Sequence, residues 1–276
     1  MPDSDDMRSA DHPACRVCGK STSALWTGPL LDLTVRYMRC PHCEYVQTES
    51  PYWLDRAYAN SINDSDTGIM ARNLGNCRVV LATLFATRSL RLGLVDFAGG
   101  YGILTRLLRD IGVAALWSDQ YCANLVAPGF EYAGGSAGTV TAFEAFEHFV
   151  DPPAELDKML AVAPNVLFST QIIPDPVPPR GEWWYYGQDH GQHIGFFTVK
   201  TLRLLAASRG RHLLSDGNFY HLMTEKKLSR PIWRSWMRIQ ALTPALARRM
   251  LKSKTWEDHL RVAGQTATSS ADGRIE

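Results

Sequence analysis

Apolar and polar residues alternate along this chain with two different periods, and the period changes in blocks. Between residues 52 and 90, Cys77, Val80, Leu81, Leu84 and Phe85 recur at helical spacing, which predicts a mostly helical segment. The run "LGLVDF" (92–97) is almost wholly apolar, as expected of a strand covered on both faces. Ile103, Leu104, Leu107, Leu108 and Ile111 return to helical spacing, and Gly112 stands where a helix C-cap belongs. "VAALWSD" (113–119) and "TVTAFE" (139–144) read as further strands. A helix follows from Pro152 and Pro153, which sit where a missing N–H costs least. "NVLFSTQII" (165–173) is the next strand, Thr198 opens a helix that Gly210 ends, and "HLLSDGNFYHLMT" (212–224) reads as a hairpin closed by Asp216 and Gly217.

Strands alternating with helices predict an α/β fold, a doubly wound parallel sheet to which the hairpin adds an antiparallel edge. The organisation expected is a disordered start (1–13), a small cysteine module (14–51), a helical lead-in (52–90), the main domain (91–226), and basic amphipathic helices with a disordered polar tail (227–276).

Charge narrows the partners. Lys and Arg (29) nearly balance Asp and Glu (28), so a nucleic-acid partner held by bulk charge is not expected. The start, "MPDSDDMRSADHPA", has no apolar core of a secretory signal, and the longest mainly apolar stretch, Val79–Ala86, is too short to cross a bilayer. A cytoplasmic location is the resulting expectation. The basic segment "RPIWRSWMRIQALTPALARRMLKSK", with Trp233 and Trp236 among arginines, is the one place where peripheral membrane contact is suggested.

Cysteine usage points to a metal rather than to disulfides. Cys15 and Cys18 form one C-x2-C pair, Cys40 and Cys43 a second, with 21 residues between them. Two such pairs supply four thiolates for a tetrahedral zinc site, closed and therefore structural. His42 lies inside the second pair as a bystander, and Cys77 and Cys122 read as packing residues.

The candidate chemistry begins at "VDFAGGYG" (95–102), a strand running into a glycine-rich turn. A nicotinamide fingerprint needs a third small residue, where Thr105 stands here. Asp96 precedes the glycines; a carboxylate there disfavours a pyrophosphate and suits a ligand with an amino group and no phosphate, such as S-adenosylmethionine. Gly100 and Gly102 let the backbone approach the ligand. Asp119, at the end of the next strand, is placed to accept from ribose hydroxyls. His148, following Glu147 just after the strand "TVTAFE", and His193, in a loop after the strand "NVLFSTQII", both fall on the ligand side of such a sheet and are candidate bases. His190 is a lesser candidate. Trp183, Trp184, Tyr185 and Tyr186 cluster in the same loop, where their faces suit a sugar ring or a planar acceptor.

Together, "LVDFAGGYG", "WSDQ" and "AFEAFEHFVDP" resemble the motif series of class I S-adenosylmethionine-dependent methyltransferases. The resemblance implies a seven-stranded Rossmann-like sheet whose last strand is antiparallel. It places Asp96, Ala98, Gly99, Gly100, Gly102, Asp119, Gln120 and Glu144 at the cofactor, with Ala98 standing where the family has its first glycine. The zinc ribbon, the lead-in "WLDRAY" (53–58) and "QHIGFFT" (192–198) are similar to the sugar C-methyltransferases acting on nucleotide-linked deoxysugars, and to methyltransferases of polysaccharide synthesis. In those enzymes the lead-in covers the cofactor, which implies Tyr58, Asp66, Thr67, Arg72 and Asn73 nearby, Arg72 meeting the cofactor carboxylate. Their late Glu-His pair, whose histidine is the base, is Gln192-His193 here. The loss of charge points to a less demanding deprotonation, of a hydroxyl rather than a carbon acid. Those enzymes carry a further C-terminal α/β domain, and a counterpart to it is not expected here. The resulting expectation is methyl transfer to a small-molecule acceptor, a sugar or glycan-biosynthesis intermediate, with His193 or His148 as base and Glu147 orienting His148. The rival readings are a nicotinamide-dependent oxidoreductase and a non-catalytic zinc-ribbon adaptor.

Overall fold

The structure, a computed structural model, describes residues 13–58, 66–179 and 181–264. The expectations for residues 1–12, for 59–65 of the lead-in and for the tail from 265 lie outside these residues.

The chain opens with a β-ribbon: β1 (Ser23–Leu30) and β2 (Leu33–Arg39) form a hairpin, and β3 (Val46–Thr48) pairs with β2. Two helices follow, α1 (Leu54–Ala57) and the long α2 (Ile69–Ala86). The alternating region then runs β4 (Leu94–Phe97), α3 (Ile103–Ile111), β5 (Ala115–Ser118), β6 (Thr139–Ala142), α4 (Pro152–Val162) and β7 (Asn165–Ser169). After a long loop come β8 (Gly195–Phe196), α5 (Val199–Ala207), the hairpin β9 (His212–Ser215) and β10 (Tyr220–Thr224), and the C-terminal helices α6 (Arg230–Arg238), α7 (Thr243–Met250) and α8 (Thr255–Val262).

Local chemistry sets the boundaries. Asp151 caps α4 through its side chain, accepting from the Ala154 N–H, with Pro152 at the first helical position. Thr198 caps α5 in a reciprocal box with Thr201. Gly112 ends α3 in the left-handed conformation (φ 110°).

The main sheet has the order β5-β4-β6-β7-β10-β9, with β5, β4, β6 and β7 mutually parallel and β10 antiparallel to both its neighbours. Successive residues of one strand feed opposite cores. Val95, Val140, Val166 and Met223 face one helical layer, while Leu94, Leu167 and Leu222 face α2, α3 and Trp233 on the other.

Two expectations change. The sheet has six strands among the described residues; beside β5, where a seventh would lie, there is a single parallel bridge from Trp117 to Glu131. The antiparallel strand is the last in sequence but not the edge, because β10 inserts between β7 and β9. The tight turn forces β9 and β10 to be neighbours, and β10 buries more completely than β9, so it takes the inner position.

The ribbon is likewise not a separate module. β8, from the loop after β7, adds to β3 as the fourth strand of the ribbon sheet. Cys15, Cys40, Cys43 and Tyr45 share one apolar core with Val95, Phe168 and Leu202 of the main sheet and its helices.

Candidate active site

Where β4 ends, the sheet order reverses between β5 and β6, the place at which open α/β sheets form a ligand crevice. The turn leading from β4 into α3 is built for close approach. A Cβ on Gly99 would sit 2.7 Å from the Trp117 ring, and one on Gly102 would sit 2.5 Å from Asn124 Oδ1. Gly100 (φ 54°) and Gly102 (φ 85°) are left-handed, and so is Ala98 (φ 58°). Ala98 therefore holds a conformation that costs an L-residue about 1–2 kcal/mol, at the position where a glycine would be free of it.

The carboxylates around this turn are engaged by the protein. Asp96 is buried; its Oδ1 accepts from Thr141 at 2.7 Å and its Oδ2 from Thr105 at 3.3 Å. Burial pushes it up to about 7. Thr105, the residue that broke the dinucleotide pattern, thus holds Asp96 in place. Asp119 accepts from the Gly100 N–H at 2.9 Å through Oδ2, and from Tyr121 and Cys122 N–H groups through Oδ1. Two carboxylate oxygens offer about four acceptor positions and three are taken, so Asp119 keeps capacity for about one ribose hydroxyl. Gln120 beside it is exposed. Arg72 pairs with Asp66, its Nη1 2.7 Å from Oδ1, and with Glu144, its Nε 3.0 Å from Oε2. The Arg72 expected at a cofactor carboxylate thus already serves two acidic side chains. Asn73 donates to the Ile69 carbonyl of its own helix.

Beyond the turn, four segments distant in sequence bring together a polar cluster. Tyr58, at the end of α1, lies 2.8 Å from His148 Nδ1 and stacks on Tyr121 at 4.7 Å. The His148 ring meets the His193 ring edge-on at 4.9 Å, and one ligand-type atom from each of Glu147, His148 and His193 lies within 4.8 Å of the others. His193 Nδ1 is 2.6 Å from the Tyr185 carbonyl. A carbonyl only accepts, so Nδ1 carries the hydrogen and Nε2 carries the lone pair. Burial, the dominant cause, holds His193 down at about 4 and His148 well below the ordinary imidazole value.

The structure reassigns the partner of Glu147. Its Oε1 accepts from the Tyr185 hydroxyl at 2.5 Å, and its backbone carbonyl accepts from the Ile194 N–H at 2.9 Å. Glu147 therefore fixes the residues that hold His193; the His148 Nδ1 is met by Tyr58 instead. The loop is pinned from the other side as well. Trp53 Nε1 donates to the Gly191 carbonyl at 2.9 Å, and Gln192 Nε2 donates to the Ala57 carbonyl at 2.8 Å. A glutamate at 192 would set a carboxylate against that carbonyl, acceptor against acceptor. The amide at this position is thus required by the contact with α1.

Of the four loop aromatics, Trp183, Tyr185 and Tyr186 are buried in the core beneath the ribbon sheet, and Trp184 alone is exposed. Tyr185, expected only as one of four aromatic faces, takes a different part in the structure. Its phenol and its carbonyl serve two different partners, and an aromatic in an aromatic run gives no signal of either.

The four cysteines converge separately. Cys15 Sγ lies 3.5 Å from Cys43 Sγ and Cys18 Sγ 3.6 Å from Cys40 Sγ. Four thiolates at about 2.3 Å from a tetrahedral zinc stand about 3.8 Å apart, so the set has the spacing for a metal ion. Cys77 and Cys122 stand outside it.

Comparisons with known proteins give one family match and a set of similar folds. A family model described as "Methyltransferase domain" matches residues 70–215, just over half of the chain. No curated protein matches significantly in sequence. Similar solved structures include a magnesium protoporphyrin IX methyltransferase from Synechocystis PCC 6803 with bound S-adenosylhomocysteine, at 16% identity and TM-score 0.40, covering 62% of this chain and 90% of that one. An O-methyltransferase family protein from Burkholderia thailandensis gives 14% identity and TM-score 0.43, covering 65% and 64%. A methyltransferase of calicheamicin biosynthesis gives 15% and 0.39, covering 63% and 61%. On the family match, the chain belongs to the methyltransferase-domain family and is an S-adenosylmethionine-dependent methyltransferase of class I.

Proposed function

We propose that this enzyme methylates a hydroxyl of a small-molecule acceptor, a sugar or glycan-biosynthesis intermediate, with His193 as general base. One observation carries the reading: the Tyr185 carbonyl fixes the Nδ1 hydrogen of His193 and so commits Nε2 to accepting a proton. S-adenosylmethionine, when bound, supplies the electrophilic methyl group. The residues around the β4–α3 turn fit it: Gly99, Gly100 and Gly102 allow backbone approach, and Asp119 retains acceptor capacity for a ribose. Asp96 acts from within, holding the turn through Thr105 and Thr141.

The depressed basicity of His193 favours an oxygen acceptor. A neutral imidazole held at about 4 is a weak base for breaking a C–H bond. A hydroxyl becomes strongly acidic as its oxygen gains a methyl group, so a weak base in the right place is enough. Tyr58 and His148, hydrogen-bonded to each other, stand beside the His193 ring. The exposed Trp184, next to Tyr185, offers the aromatic face on which a sugar ring stacks. Cys15, Cys18, Cys40 and Cys43 hold a structural zinc ion in this reading.

The test is His193→Gln assayed with labelled cofactor against a panel of sugar and glycan acceptors. We expect turnover to fall by about 10²–10⁴-fold with cofactor affinity retained, the usual worth of a positioned base. Unchanged turnover would overturn the assignment, and a larger loss in His148→Gln would transfer the role to His148.

A further inference from the structure

Residues 226–254 contain nine lysines and arginines and no acidic residue, in a chain whose formal net charge is +1. Of these nine, only Lys254 forms an ion pair among the described residues, with Glu257. α6 packs against α2 through Trp233, which is buried, and Trp236, which stacks on Phe85 at 4.8 Å. α7 packs through Ala247 and Thr243. The two tryptophans that made this segment resemble a membrane anchor in the sequence therefore face inward. The outer surface is formed instead by Arg230, Arg234 and Arg238, four residues apart on α6, by Arg248 and Arg249 on α7, and by apolar side chains that water reaches. Ile232 is 50% exposed, Ile239 42%, Leu242 60% and Met250 50%. Among the described residues, none of these five arginines forms an ion pair.

We infer that this face is a docking surface for an anionic lipid membrane. Charge alone would fit any polyanion. The interleaved isoleucines and leucine decide between them, because apolar side chains gain nothing against phosphate backbones but partition into the headgroup region while arginines meet lipid phosphates. The helices lie along the surface rather than across it: no helix of the described residues is long and apolar enough to span a bilayer. The inference is independent of the acceptor reading. A lipid-linked acceptor would then be met where it resides.

The experiment is co-sedimentation of the full chain with phosphatidylglycerol/phosphatidylcholine vesicles, against phosphatidylcholine alone, at about 0.1 M salt where charges act over about 10 Å. We expect binding to the anionic vesicles only. Arg230→Ser, Arg234→Ser and Arg238→Ser combined should weaken it by on the order of a hundredfold, at roughly fivefold per basic residue near the surface. Arg248→Ser with Arg249→Ser should weaken it independently. Ile232→Ser, Ile239→Ser and Leu242→Ser combined should also weaken it, with charge unchanged. Cofactor affinity and the thermal midpoint of every variant should stay at the wild-type value, since all these side chains are exposed. No binding to anionic vesicles, binding indifferent to both sets of substitutions, tighter binding to duplex nucleic acid, or a dimer in solution that the isoleucine and leucine substitutions dissociate would each overturn the inference.

Discussion

At the scale of single residues, Glu147 shows what burial does to a carboxylate. It has no accessible surface, Oε1 is held by Tyr185, and Oε2 has no hydrogen-bond partner among the described residues. Burial pushes its carboxyl up to about 7. The folded-state value lies above the unfolded one, so the stability it contributes is fully present below the unfolded carboxylate range and is lost as pH rises through about 7. Glu147→Gln keeps an acceptor for Tyr185 and removes the titration. We therefore expect wild type to lose stability between pH 5 and pH 8 relative to the Gln variant, by up to about 3 kcal/mol. Urea unfolding at the two pH values measures this, and parallel pH dependences would show that the charge is solvated. From the sequence, Glu147 is simply the acidic neighbour of a histidine. That it faces Tyr185 depends on a loop nearly forty residues later, which no local pattern reports.

At the scale of elements, the strand pairing between β3 and β8 joins the ribbon to the histidine loop. Arg16 is the key to that joint. It lies between Cys15 and Cys18, and its Nη2 donates to the Thr48 carbonyl at 3.0 Å and to the Ile194 carbonyl at 2.6 Å, next to His193. Thr201, in the first turn of α5, donates to the Cys43 carbonyl at 2.8 Å. The cysteine turns thus position the loop that carries His193. For Arg16→Met we expect metal content and cofactor affinity to be retained, faster amide exchange over 191–196, and turnover lowered by at least about tenfold, since a displacement near 1 Å is costly in catalysis. Arg16→Lys should recover part of it. Wild-type exchange and turnover in Arg16→Met would make the ribbon a bystander. Sequence spacing identified the cysteines; the two-residue strand β8 was too short to register as a periodic pattern.

At the scale of the whole molecule, the C-terminal helices are latched onto the main domain. Asp258 on α8 accepts two bonds from Arg109, at 2.7 and 2.5 Å, and one from Arg106 at 2.8 Å, with Arg109 and Asp258 both buried. Phe130 lies under the Arg109 guanidinium, 3.6 Å from ring centre to Cζ. Removing the carboxylate strands the buried arginine. Asp258→Ala should therefore cost about 3–5 kcal/mol in urea unfolding, the usual penalty for orphaning a buried charge. A loss below about 1 kcal/mol would mean that α8 is only loosely attached. The latch joins residues 149 positions apart, and the sequence offers only a basic residue in one helix and an acidic one in another.

The sequence by itself determined what short range can encode. Periodicity gave the alternating strands and helices, glycine conformation the β4–α3 turn, and cysteine spacing the metal-type cluster. Each depends on residues within a few turns of one another, where backbone geometry fixes which side chains meet. Tertiary structure alone decided which partners they take. It turned three of four loop aromatics inward, gave Glu147 to Tyr185 and Arg72 to two carboxylates, and merged the ribbon with the main core through β8. Those contacts form only when segments distant in sequence compete for the same buried space, and burial then selects the polar pairs that leave the fewest groups unsatisfied.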